Sequence, residues 1–283
     1  MNWWQAIVLG IVEGITEFLP VSSTGHLLLT QRLLGIAESE AANAFAICIQ
    51  AGAIVAVLGI FRNRVRESWH AVLGMLRLSK PHPTGKRLLQ NLVIAFLPAM
   101  IFGVLLNDWI DEHLLHLRAV SIAWFAGGLA ILIVDQWTSA FSGNQPKSLR
   151  TLDEMTWPIA LGIGMFQVIA MCPGTSRSLA TILGGLLLGL SLGGAVEFSF
   201  LLGVLTLLAA TGFKALKSGN ALLENYDGLS MALGCAAACV SAFFAVRWML
   251  AFLNRHRMSV FGYYRIAIAI LVGFCLYNGW ISE

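Results

Sequence analysis

Two apolar stretches of this chain, about residues 3–35 and 157–192, are each broken in the middle by a proline-led run of hydroxyl and glycine residues. The first break is Pro20 to Gly25 (PVSSTG) and the second is Pro173 to Ser178 (PGTSRS). No other feature constrains the fold as strongly. In lipid every backbone N–H and C=O needs an internal partner, so non-helical backbone at membrane depth survives only against protein or a water-filled cavity. The apolar arm that follows each break, His26 to Ile36 in the first case, is too short to cross a hydrocarbon core of about 30 Å. Each stretch therefore reads as a re-entrant hairpin: helix, polar loop, short helix, and exit on the side of entry.

The remaining chain supplies the spans that such hairpins need. Residues are 58% hydrophobic and 12% charged, and the mean hydropathy is +0.77, which places the chain among membrane proteins. Apolar runs of spanning length lie at about 44–61, 88–106, 119–135, 197–214, 229–250 and 262–281. The expected fold is an all-α integral membrane protein, one domain over 1–283, with six transmembrane helices and two re-entrant hairpins. Residues 1–135 and 157–283 each hold one hairpin and then three spans. Three is odd, so the second half enters the membrane inverted, and paired interrupted segments in two such halves point to a site at their interface. No basic run precedes the first apolar segment, so the opening residues do not read as a signal peptide, and Trp3 and Trp4 are expected at the interface.

Loop charge gives an orientation. Arg62, Arg64, Arg66, Arg77, Lys80, Lys86, Arg87, Lys147, Arg150, Arg247, Arg255, Arg257 and Arg265 fall on one side of this topology, and Arg32, Arg118, Lys214 and Lys217 on the other. The positive-inside rule makes the richer side cytoplasmic. The first hairpin then opens outside and the second to the cytoplasm, with tips able to meet within the membrane.

Both tips carry chemistry. The first lies in EGITEFLPVSSTGH, Glu13 to His26. Glu13 and Glu17 are four apart and share a helix face. Two carboxylates on one apolar face disfavour each other's ionisation, so they call for a cation, either a metal or a basic side chain. Arg177 is the one basic residue this topology places inside a membrane segment. Around it, Gly174, Thr175, Ser176 and Ser178 offer hydroxyls and backbone N–H groups at a helix N-terminus, a nest suited to a tetrahedral anion. An arginine fork in such a nest suits phosphate. Facing Glu13, Glu17, Ser22, Ser23, Thr24 and His26, it assembles acid/base, nucleophile and anion clamp.

Other candidates are weaker. Glu197 opens a span and reads as a helix N-cap rather than a third acidic ligand, while Gln50 and Ser199 are placed to face the cavity. His113 and His116, with Asp108, Asp111 and Glu112, read as a solvated outer loop rather than a metal cluster. His70 and His82 read as cytoplasmic loop residues without partners. The five cysteines lie in apolar segments without C-x-x-C spacing and are assigned no metal.

On these residues, from EGITEFLPVSSTGH through PGTSRS to Glu197-Phe-Ser-Phe-Leu-Leu, the chain resembles the undecaprenyl-diphosphate phosphatase family of bacitracin-resistance membrane proteins over nearly its whole length. The resemblance implies hydrolysis of undecaprenyl diphosphate to the monophosphate, which recycles the lipid carrier of peptidoglycan synthesis. It also implies an inverted repeat in the bacterial cytoplasmic membrane, an outward-facing site and dependence on a divalent cation, Mg²⁺ or Ca²⁺. Glu13 and Glu17 match the family's paired acidic positions, Ser23 its nucleophile, His26 its motif histidine, and Arg177, flanked by Ser176 and Ser178, its phosphate-binding arginine. Leu179 and Leu205 depart from the glycine and proline usual there.

The mechanism expected from these residues sets the diphosphate between the Arg177 nest and a cation on Glu13 and Glu17. Ser23 attacks in line and Glu17 or His26 takes its proton; direct attack by water uses the same residues. The expected partners are a polyprenyl diphosphate lipid and the membrane, with no nucleic acid and with a homo-oligomer left open. A transporter or flippase shares the architecture, but it has no need of a serine beside an acid/base. A lipid kinase fits poorly, because no G-x-x-x-x-G-K-[ST] loop is present.

Overall fold

A computed structural model describes residues 1–37, 39–80, 82–142 and 149–281, without the side chains at 40, 43, 107, 108, 111, 138–142 and 214–225. Lys147 and the side chains of Asp108, Asp111, Lys214 and Lys217 thus lie outside the described part. The described chain is helical: α1 Trp3–Thr16, α2 Ser23–Leu33, α3 Glu40–Ile60, α4 Arg62–Met75, α5 Pro83–His113, α6 Leu117–Ser142, α7 Trp157–Ile169, α8 Arg177–Leu187, α9 Leu192–Asn225, α10 Gly228–Leu253 and α11 Ser259–Tyr277. Among the described residues, five helices are long and apolar enough to cross a membrane: α5, α6, α9, α10 and α11. The pair α3 and α4, bent by 87°, supplies a sixth when taken as one broken span. This is a multi-pass, all-α membrane protein.

Both interrupted stretches fold as two short helices around a polar tip. Asn2 caps α1 in a capping box with Gln5, and the helix gives way before Pro20. The returning helices α2 and α8 are 11 residues each, about 16 Å at 1.5 Å per residue, half a bilayer core. Each starts from a serine in the left-handed region, Ser22 at φ 73° and Ser176 at φ 76°. That conformation is costly without glycine and recurs at functional sites.

The halves pack crosswise. Helix α1 lies on α10 and α7 on α5, while α3 pairs with α9 and α6 with α11. Small residues permit the close approach usual between membrane helices: a Cβ on Gly10 or Gly14 of α1 would collide with Gly234 or with Ala238 and Ser241 of α10. The largest core cluster joins Phe18, Leu19 and Val21 of the first tip to Leu179, Ile182 and Leu183 of α8 and to Phe198, Phe200 and Leu202 of α9.

Three expectations change. The basic stretch after residue 61 is not a plain loop. Its first part is α4, folded back sharply from α3, with Arg64 bound to Glu197 (2.9 Å), Asp153 (2.9 Å) and Glu67 (3.1 Å). Glu197 is therefore neither a metal ligand nor an N-cap, because α9 begins at Leu192 and the carboxylate pairs with Arg64. Arg265, counted above with the cytoplasmic charges, is fully buried. Its position on α11 points the side chain inward, against both tips.

Candidate active site

The two tips meet at a cavity of about 600 Å³. Its polar wall is Glu17, Ser22, Ser23, Thr24, Gln31, Gln50, Gly174, Ser176 and Arg177, and its apolar wall includes residues of α2, α3, α5 and α9. Ser23, the first residue of α2, donates a short hydrogen bond from Oγ to Glu17 Oε2. Arg177, the first residue of α8, donates from Nη2 to Glu17 Oε1 at 3.1 Å and from Nη1 to the Ser199 carbonyl at 3.2 Å. One carboxylate thus joins a serine from one tip to an arginine from the other.

The Arg177 seat is built from several elements. The guanidinium lies 5.5 Å from the Phe18 ring centroid, a cation–π distance. Gly203 of α9 leaves the space it fills, since a Cβ there would collide with the guanidinium. Nε of Arg177 is buried without a hydrogen-bond partner. Ser199 is fully buried and, rather than facing the cavity, shares a 2.6 Å hydrogen bond with Thr181 behind the arginine. Gln50 does line the cavity.

The other candidate residues divide by where they point. Ser176 lines the cavity, caps α8 by accepting from the Leu179 N–H at 3.3 Å and lies 3.0 Å from Ser178 Oγ. Ser178 is fully buried and donates to the Leu19 carbonyl at 2.9 Å, so it ties tip to tip outside the cavity wall. Thr175 closes a turn through its N–H to the Cys172 carbonyl, 3.1 Å, and does not line the cavity. His26 also turns away. Its Nδ1 lies 2.7 Å from the Ser22 carbonyl and its Nε2 2.7 Å from Tyr264 Oη, with the ring stacked on Tyr264 and edge-on to Trp124. The group in reach of the Ser23 proton is therefore Glu17.

Glu13 sits one turn below Glu17, fully buried, with both carboxylate oxygens lacking a hydrogen-bond partner. Its polar neighbours are Glu17, Arg177 and Gln50. A buried carboxylate without donors is costly, and a cation is the group that would satisfy it. Among the described residues no set of three or more His, Cys, Asp or Glu side chains is gathered to hold a metal by itself. That donor poverty suits Mg²⁺, which commonly takes one or two carboxylates and completes its shell with substrate oxygens and water. His113 is half-exposed and stacks on Trp109, but it is the last residue of α5 rather than part of a loop. His82 is not without partners, because it caps α5 by accepting from the Gly85 N–H.

The sequence reading missed Arg265. Its guanidinium donates to the Pro20 carbonyl (3.2 Å) of the first tip, the Gly174 carbonyl (2.8 Å) of the second, and the Ala123 (3.0 Å) and Trp124 (3.3 Å) carbonyls of α6. Trp124 in turn donates to the Val21 carbonyl at 2.8 Å. The available signal was position: Arg265 falls inside the apolar run 262–281, where an arginine without an interfacial exit needs internal acceptors.

Comparison with known proteins places these residues in a family. A family model described as bacitracin resistance protein BacA matches residues 6–271. An undecaprenyl-diphosphatase of Methylococcus capsulatus is 43% identical over 96% of this chain and 94% of its own. Undecaprenyl-diphosphatase 2 of Rhodospirillum rubrum is 41% identical over 98% and 96%. Undecaprenyl-diphosphatase 1 of Chromobacterium violaceum is 41% identical over 99% and 98%.

Proposed function

We propose that this chain, which belongs to the bacitracin resistance protein BacA family, is an undecaprenyl-diphosphate phosphatase that releases phosphate and leaves undecaprenyl phosphate. The observation that carries the reading is Glu17 holding the Ser23 hydroxyl on one oxygen and Arg177 on the other, in one cavity. A serine, its base and an anion clamp in mutual contact are what phosphoryl transfer to a side chain needs.

In this reading Arg177 and the Ser176 hydroxyl grip the terminal phosphate, the guanidinium exchanging Glu17 for phosphate oxygens. Ser23 Oγ attacks phosphorus in line, its proton passes to Glu17 Oε2 and from there to the leaving phosphate oxygen as the anhydride P–O bond breaks, which frees undecaprenyl phosphate and returns Glu17 to the carboxylate. Water then cleaves the phosphoserine, with Glu17 as base. Direct attack by water, with Ser23 positioning it, uses the same groups. Glu13 and Glu17, with Gln50 nearby, would hold a divalent cation. Such an ion supplies charge neutralisation of the diphosphate oxygens.

The site is assigned to the outer face of the bacterial cytoplasmic membrane. Removing Arg265 from the charge count leaves twelve basic residues on the inner side against four, so the positive-inside argument stands. The crosswise packing of α1 on α10 and α7 on α5 supports two inverted halves. The test is phosphate release from undecaprenyl diphosphate by purified protein in detergent. Turnover should disappear with EDTA and return with Mg²⁺. Saturable binding of the lipid without phosphate release would instead favour transport.

A further inference from the structure

The cavity wall is partly polar and partly apolar. Thr24, which is exposed, and Gln31 line it, as do Ile110 of α5 and Leu115 just beyond that helix. Gly103, about two turns before Ile110 on α5, lines it with Leu207 and Ala210 of α9. Among the described residues no side chain closes the wall at Gly103: a Cβ there would meet no atom within 4 Å, and Ala210 is exposed. Immediately beyond it the helices present bare apolar surface, with Val104 74% and Leu105 71% exposed on α5 and Leu208 51% exposed on α9. In a membrane-spanning helix pair such surface faces lipid.

We propose that the prenyl chain of the substrate leaves the cavity between α5 and α9, across Gly103 and Ala210, and that these two small residues form the lateral portal selecting for a long lipid tail. The inference rests on the phosphatase reading, which supplies the ligand. A cavity of about 600 Å³ is the size that encloses a drug-like molecule, so it can hold the diphosphate and the first isoprene units, and the rest of an undecaprenyl chain must lie outside. Leaving past Thr24 and Gln31 would carry the tail toward polar groups and water, which the hydrophobic effect opposes. Leaving past Gly103 carries it directly into lipid. The polar side then serves water entry and phosphate exit, so tail and product use different openings.

Two substitutions, Gly103→Phe and Ala210→Phe, test the portal, with Val104→Phe, one residue along on the lipid-facing surface, as a control. None of the three residues belongs to the catalytic set. Initial rates are measured for undecaprenyl diphosphate and for farnesyl diphosphate, whose tail is far shorter. Each portal variant should lose on the order of tenfold or more in kcat/KM for the long substrate and stay within about threefold for the short one. Val104→Phe should change neither. Unchanged long-chain turnover in both portal variants would overturn the proposal, and so would equal losses on the two substrates, since a collapsed headgroup site or a misfolded protein would not distinguish tail length. Failure of the parent reading looks different: wild-type protein would then release phosphate from neither lipid.

Discussion

The two tips share a backbone and divide the chemistry. Each follows a short helix, turns at a proline, passes through a serine at positive φ and starts an 11-residue helix. Counted from those serines, Ser23 corresponds to Arg177 and Glu13 to Gln167. Glu13 and Gln167 are both buried with side-chain oxygens lacking partners. The first tip therefore carries the negative charge and the hydroxyl proposed to attack, and the second carries the positive charge with a neutral amide in place of the acid. Had both tips kept carboxylates, each would bury a negative charge that disfavours the other's ionisation. Their difference lets Glu17 meet Arg177.

Substitutions at equivalent positions sharpen this division. Ser23→Ala should reduce single-turnover phosphate release by about 1,000-fold or more while lipid-diphosphate affinity survives within a few-fold, as for other removed nucleophiles. Near-normal hydrolysis would shift the attack to water. On the second tip, Arg177→Lys keeps the charge and loses the planar fork, with an expected fall in kcat/KM on the order of 100-fold. Retention of half the activity would remove the bidentate clamp. Between the tips, Arg265→Lys has too few donors for four carbonyls, so kcat should fall roughly tenfold with KM little changed, because small misplacements are expensive in oriented reactions. A change confined to the thermal midpoint in detergent would mark Arg265 as structural only. Gln167→Leu should be the mildest. Turnover should stay within about twofold and stability be equal or better by up to ~1 kcal/mol, since it removes an unsatisfied buried amide. A large loss of turnover there would give the second tip an acid/base role and break the comparison.

The features legible in the sequence were those set by local chemistry. Pro20 and Pro173 interrupt their helices by removing donors, so both hairpins follow from residue type. Glu17 is one helical turn beyond Glu13, so their shared face follows as well. What escaped depends on contacts distant in the chain. Arg265 counts like any cytoplasmic arginine until α11 is seen against α6 and both tips. Glu197 opens an apolar run, but its partner Arg64 lies 133 residues away in the chain. His26 lies in the motif beside Ser23, yet Tyr264 draws it to the far side of the tip. Helix α4 was missed because the 87° bend at Phe61 lies where an apolar run meets a basic one, a boundary that composition alone reads as span and loop.

Arg265 also bears on motion. A protein that opens a midplane site to each side of the membrane in turn has to part its two halves at the tips. Here one guanidinium is shared by Pro20 of the first tip, Gly174 of the second, and two carbonyls of α6. Parting them strands at least one carbonyl, or the cation itself, in a dry interior. Hydrogen bonds to a charged group contribute about 1.5–3 kcal/mol each, so the separated arrangement starts at a disadvantage before any new contact forms. Through Arg265 the tips are fastened to each other. Tips that stay joined leave the substrate to reach the site between helices, as proposed above for α5 and α9.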